Sequence, residues 1–255
     1  MQPLQTNSSP KLKCTDISIT YENEAILSSL SISAQEGEII SVIGMSGSGK
    51  STLLKIISGL ALPDDGRVFI DGEDYTGRTG KVSFMMQDSL LMPWKTVLDN
   101  AILPLIISGV KKAEAYERAE KYLEYFGLDA CKNLYPAQIS GGMAKRVSLL
   151  RAYLFSSDIL LLDEPFSSLD SLTRISVYEW FLKTVRDLKI TTVLVTHDIN
   201  EAVYLSDKVY IIRGRPAEVA LEMKIDVDKQ GYRETSANSA FHAAVDSLTT
   251  AVFEE

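Results

Sequence analysis

Residues Gly44-Met45-Ser46-Gly47-Ser48-Gly49-Lys50-Ser51 fill every fixed position of the pattern G-x-x-x-x-G-K-[ST]. The apolar run Glu38-Ile39-Ile40-Ser41-Val42-Ile43 precedes it, and Thr52-Leu53-Leu54-Lys55-Ile56-Ile57 follows. The first run predicts a buried strand and the second a helix start, which is the strand–loop–helix order the pattern requires. Glycines let the backbone curl so that successive N–H groups point inward at phosphate oxygens. The helix N-terminus adds a partial positive charge there. Gly44, Ser46, Gly47, Ser48, Gly49, Lys50, Ser51 and Thr52 are therefore candidate phosphate-binding residues. Lys50 is expected to reach β- and γ-phosphates, and the Ser51 hydroxyl to meet Mg²⁺.

The 255 residues suffice for one large domain or two small ones, and 45% hydrophobic residues permit a core. The net charge of −8 gives no electrostatic support to nucleic-acid binding. No run of about 18 apolar residues is present, so no membrane span is expected. Met1-Gln2-Pro3-Leu4-Gln5-Thr6 lacks a basic region leading into an apolar one, so no secretory signal is expected. Cys14 and Cys131 show no metal-ligand spacing and fit a reducing compartment.

Alternation over residues 11–33 predicts antiparallel strands turning near Glu22-Asn23-Glu24. Arg67–Ile70 and Lys81–Met86 predict further strands. Residues from about 95 to 155 are rich in helix formers. Asp158-Ile159-Leu160-Leu161-Leu162-Asp163 reads as a buried parallel strand ending in an acid. A helix over 171–188, a strand over 191–195, a helix over 198–205 and a strand over 207–213 follow. Strands alternating with helices predict an α/β core with a mainly parallel sheet. Residues 1–10 are expected to be a tail, 11–223 a domain with a helical insertion at about 95–155, and 224–255 a polar linker with a short amphipathic helix. That helix would present Phe241, Val245, Leu248 and Val252. His242, also there, reads as a surface or packing residue.

Asp163-Glu164-Pro165 ends its strand where ligands bind in open α/β sheets. Asp163 can orient Mg²⁺, and Glu164 can take a proton from water attacking a γ-phosphate. Ser140-Gly141-Gly142 opens a helix, expected over Met143–Phe155, whose free N–H groups make a second anion site. One nucleotide does not need two helix N-termini separated by a subdomain, so the second site makes sense if it serves a partner's ATP.

Together these motifs resemble the ATP-binding subunits of ATP-binding-cassette (ABC) transporters, over roughly residues 11–222 and in the family's order. Gly44–Ser51 is similar to the Walker A loop and Ile159–Glu164 to the Walker B strand with its catalytic glutamate. Gln87 matches the Q-loop glutamine, Ile139–Met143 the Leu-Ser-Gly-Gly-Gln signature, Ser168-Leu169-Asp170 the D-loop and His197 the switch histidine. Tyr21 matches the aromatic residue that stacks on adenine. Ile139 and Met143 depart from the signature's leucine and glutamine. Ser-Gly-Gly-Met, Leu91-Met92-Pro93-Trp94 and Thr96–Asn100 resemble the importers of nitrate, sulfonates, taurine and thiamine precursors.

The resemblance implies a P-loop NTPase core with an N-terminal antiparallel β subdomain and an inserted helical subdomain. It implies ATP and Mg²⁺ as ligands, with Ser51, Gln87 and Asp163 at the metal and Glu164, His197, Gln87 and Lys50 in catalysis. Ser140, Gly141, Gly142 and Asp170 would complete the nucleotide site of a second cassette, the same or similar, arranged head to tail. The expected role is the motor of an importer at the cytoplasmic face of the membrane, working on a separate permease and, indirectly, a solute-binding protein. The alternatives are a non-transport ABC ATPase and a P-loop kinase, the latter leaving the signature and D-loop without a task.

Overall fold

A computed structural model of the chain describes residues 9–156 and 158–253. Most of the expected tail 1–10, and the segment 1–6 read for a signal, lie outside the described residues. The N-terminal hairpin is β1 (Leu12–Tyr21) and β2 (Glu24–Ala34), antiparallel as expected. Its turn is made by Glu22 and Asn23, both with positive φ. β3 (Ile39–Ile43) is buried throughout and leads into α1 (Lys50–Ile57). β4 (Asp65–Ile70), β5 (Glu73–Asp74) and β6 (Val82–Met85) follow. The helix-rich stretch contains α2 (Val97–Ala101), α3 (Leu103–Ile107), α4 (Lys112–Leu123) and α5 (Gly141–Phe155). The chain then alternates through β7 (Ile159–Asp163), α6 (Ser171–Asp187), β8 (Thr191–Thr196), α7 (Ile199–Leu205) and β9 (Lys208–Gly214). β10 (Ala217–Lys224), α8 (Tyr232–Ser236) and α9 (Ser239–Phe253) close it.

Among the described residues the strands form one ten-stranded sheet, ordered β5-β4-β1-β2-β10-β9-β3-β8-β7-β6. β9, β3, β8, β7 and β6 run parallel, and β4, β1 and β2 antiparallel. Both expected parts are thus present, but in a single sheet. The element joining them, β10, is not foreseen by the sequence reading. It pairs along its length with β9 but meets β2 at one position, Ala217 against Leu27.

Successive strand residues face opposite sides, and the core follows that rule. Ile39 and Ile43 of β3 join one cluster with α2–α7, while Ile40 and Val42 join the other with α1, β1 and β2. Leu53 and Leu54 of α1 are fully buried. Each contributes about 1.5–3 kcal/mol of transfer free energy, which fixes α1 and the loop before it to the sheet. At the other end Phe241 and Leu248 of α9 are buried, with Val245 and Val252 packed beside them. The expected short helix is fifteen residues long and lies against α7 and β9. No described helix is long and apolar enough to cross a membrane.

Candidate nucleotide site

β3 delivers the loop 44–49 to the C-terminal edge of the parallel strands. Gly49 caps α1 with φ 85°, a left-handed value, and no side chain accepts from the helix's first amides. A β-carbon at Gly49 would lie 2.7 Å from Leu27 Cδ2, so sterics and backbone both demand glycine there. Lys50 is buried, and its Nζ donates to the carbonyls of Gly44 and Met45, each at 2.8 Å. Burial lowers its pKa, while Glu164 and then Asp163 oppose that shift. A cavity of about 290 Å³ opens over the loop. It is lined by Tyr21 and Ile26, by Ser46, Gly47, Gly49, Lys50, Ser51 and Thr52, and by Glu164. The Ser48 hydroxyl of this loop is buried with no hydrogen-bond partner among the described residues.

β7 carries Asp163 and Glu164 to the same edge. Glu164 adopts φ 45°, rare for a residue with a side chain. Its N–H donates to Val195 of the neighbouring strand at 2.9 Å. The Glu164 carboxylate lies 3.2 Å from His197 Nδ1 at the end of β8. Gln87 Nε2 donates to Ser167 Oγ at 3.1 Å, and Ser167 Oγ donates to the Glu164 carbonyl at 3.0 Å. Gln87 therefore meets Ser167, 80 positions on in sequence, a residue the sequence reading missed. Its place between Glu164 and the Ser168-Leu169-Asp170 motif is the signal that could have found it.

Arg174 ties two loops together. It donates to the Leu169 carbonyl at 2.7 Å and lies 3.7 Å from Asp198, which caps α7 just after His197. Deeper in, Tyr178 donates to Glu201 at 2.6 Å. Burial pushes the Glu201 carboxyl up to about 7.

The signature residues stand apart from this cavity. Ser140 caps α5, its Oγ accepting from Met143 N–H at 3.3 Å. That cap starts the helix at Gly141, two residues before the expected Met143, because a side-chain acceptor for the third amide lets both glycines turn helically. Gly142 is buried against α6, where a β-carbon would meet Thr173 Cγ2 at 3.0 Å. Asp170 caps α6, and its hydrogen bonds from Thr173 hold the carboxyl below the usual range. Ser140, Gly141, Gly142 and Asp170 do not line the cavity over 44–52. His242 is exposed on α9, its ring 6.1 Å from that of Phe241.

The donors suit a nucleoside triphosphate. Uncapped amides and a buried ammonium meet phosphate charge, and Tyr21, 45% exposed, offers a flat face at the rim. Comparisons with known proteins agree. The ABC transporter family model matches residues 27–167, more than half of the chain. The formylaminopyrimidine import ATP-binding protein of Halalkalibacterium halodurans is 40% identical over 222 residues, covering 87% of each chain. The taurine import ATP-binding protein of Pseudomonas aeruginosa is 40% identical over 220 residues, 85% of this chain and 84% of that one. A bacterial ABC transporter cassette solved as a dimer superposes with TM-score 0.71 at 32% identity, over 84% of this chain and 98% of that one. A cassette in a post-hydrolysis state bound to ADP and Pi gives TM-score 0.70 over the same shares. The chain thus belongs to the ABC transporter family, of which it is an ATP-binding, ATP-hydrolysing cassette.

Proposed function

We propose that this cassette energises a membrane importer through a separate permease, hydrolysing ATP at a site shared between two cassettes. The observation that carries the reading is the Glu164 carboxylate, held 3.2 Å from His197 at the rim of the Lys50 cavity. Water attacks the γ-phosphorus, Glu164 takes its proton, and the bond to the β-phosphate oxygen breaks with its electron pair leaving on ADP. His197 orients Glu164 and faces the γ-phosphate. Lys50 binds β- and γ-oxygens, leaving its two carbonyl partners as it does so. Ser51, Gln87 and Asp163 supply the hard oxygen donors that suit Mg²⁺. That ion, when bound, offsets charge on the β- and γ-phosphates.

Ser140, Gly141, Gly142 and Asp170 face a second cassette's nucleotide in this reading, which is supported by none of them lining the chain's own cavity. The permease docks on the apolar surface around the Gln87 loop. Met86, Met92 and Trp94 are exposed there, Leu91 is half-buried, and Met85 lines a 420 Å³ groove bounded by β6, α3 and α5. Such a cassette lies peripherally on the cytoplasmic face. Its cargo belongs with those in the relatives' names, a formylaminopyrimidine, taurine or an aliphatic sulfonate, delivered by a solute-binding protein.

Mixed dimers test the shared site. Ser140→Arg and Lys50→Ala each disable both sites of a homodimer. Paired with each other they place both defects at one composite site and leave the second intact, so the mixed dimer traps one ATP. Ser140→Arg hydrolysing ATP as a monomer, with no trapping by the mixed dimer, would make this chain a self-contained P-loop enzyme.

A further inference from the structure

α5 carries three cations, Lys145, Arg146 and Arg151; Arg146 lies over the Trp180 ring, and the other two turn to a loop. Lys145 is buried, Arg151 is half-buried, and neither has an ion pair within 4.0 Å among the described residues. Burial lowers the pKa of both, and at Lys145 the nearby Asp88 carboxylate opposes that shift. Burying charge this way is costly unless hydrogen bonds replace the water. The replacements all come from one loop. Lys145 Nζ donates to the Gln87 carbonyl, and Arg151 to the carbonyls of Ser89 and Leu90 at 2.8 and 2.9 Å. Between them, Ser148 Oγ donates to Ser89 at 2.8 Å. Positions 145, 148 and 151 share one helix face. The loop itself has no regular structure, and Leu90 sits at φ 45°.

We propose that Lys145 is a positioning residue for Gln87: its ammonium pins the Gln87 peptide to α5 and so presents the Gln87 side chain to the nucleotide site. The proposal rests on the reading of Gln87 as a metal donor. Packing alone does not require the charge, because an apolar side chain of similar length would fill the same space without desolvating an ammonium. The geometry divides Gln87 between two bodies. Its carbonyl belongs to α5, and its side chain reaches Ser167 in the Glu164 loop. Since Ser140 caps the same α5, a shift of the helix at its N-terminus moves Gln87 directly.

Lys145→Met keeps length and removes the donor. The Mg²⁺ concentration for half-maximal turnover should rise roughly tenfold, with ATP affinity measured in EDTA unchanged. Amide hydrogen exchange over 86–90 should quicken without metal or nucleotide. Lys145→Gln, which keeps a donor, should restore both. Gln87→Ala combined with Lys145→Met should be no worse than Gln87→Ala alone. Losses that multiply in the double variant, or a Lys145→Met protein with parental Mg²⁺ demand and exchange, overturn the proposal. If Lys145→Met does not fold, Lys145→Gln carries the test, and a raised Mg²⁺ demand despite its donor overturns it. Parental Mg²⁺ demand in Gln87→Ala removes Gln87 from the metal site, and this proposal falls with that reading.

Discussion

At the start of α1 the capping residue is Gly49, and no side chain satisfies the first-turn amides. At the start of α5 it is Ser140, whose hydroxyl accepts from Met143. Around the first, the fold gathers a buried lysine, two acids, a histidine and an exposed tyrosine. Around the second it gathers the exposed Ser140 and Gly141, with the capping aspartate of α6 on the adjoining helix. Both are glycine-rich helix starts, yet only the first has a buried ammonium and a carboxylate–histidine pair beside it. A helix N-terminus gives affinity for negative charge, whereas chemistry needs proton-transfer groups fixed beside it.

The largest expected effect lies at the Lys50 cavity. Glu164→Gln should cut phosphate release by roughly two to four orders of magnitude while ATP still binds. Parental turnover would erase the contrast between the two ends. Lys50→Ala comes next. Losing a charge-assisted contact should weaken nucleotide binding about ten- to hundredfold by calorimetry, with little change in melting temperature.

Glu201 supports the loop of His197 from beneath, and its titration sharpens the comparison. Between its ordinary value of 4.5 and about 7 the folded chain holds a proton that the unfolded chain has released. The associated stability is complete below about pH 4.5 and is lost as pH rises through about 7. Relative to Glu201→Gln, which does not titrate, the parent should lose roughly 1–3 kcal/mol over that window in urea unfolding. A flat difference would place that carboxyl in water.

The smallest effect separates the two signature glycines. Gly142→Ala should cost about 1 kcal/mol, because its methyl meets Thr173 at 3.0 Å. Gly141→Ala, with its nearest atom at 3.5 Å, should leave the melting temperature unchanged. Equal losses would show that α5 and α6 do not pack as closely as this.

What could be read in the sequence were features whose chemistry lies in consecutive side chains. The phosphate loop, the strand 159–163 and its acids, and the helix opened by Ser140-Gly141-Gly142 are all of this kind. Lys145, Ser148 and Arg151 were not legible as a strap, because their acceptors are backbone carbonyls, which any residue supplies. β10 was lost for a different reason. Ala217, Val219, Leu221 and Met223 alternate with the exposed Glu218, Ala220, Glu222 and Lys224, so the period-two signal of a half-buried strand was there and was passed over. The length of α9 was underestimated because Phe241 and Leu248 mark only the buried stripe of a longer helix.

The single rung between Ala217 and Leu27 has a mechanical consequence. A ladder of hydrogen bonds is directional and stiff, whereas apolar contact is non-directional and tolerates sliding. Beyond that rung the antiparallel strands are held by side chains: Ile17 and Leu30 pack with Leu53 of α1, and Tyr210 of β9 accepts from the Ser33 N–H and donates to the Ser33 carbonyl, each at 3.1 Å, so side-chain hydrogen bonds bridge the two parts of the sheet where the ladder does not. Leu27, the rung residue, is also the one pressed beneath Gly49. Tyr21 stands on the antiparallel side of that junction and Lys50 on the parallel side. In the reading proposed above, a nucleotide held by both would add one more tie across it.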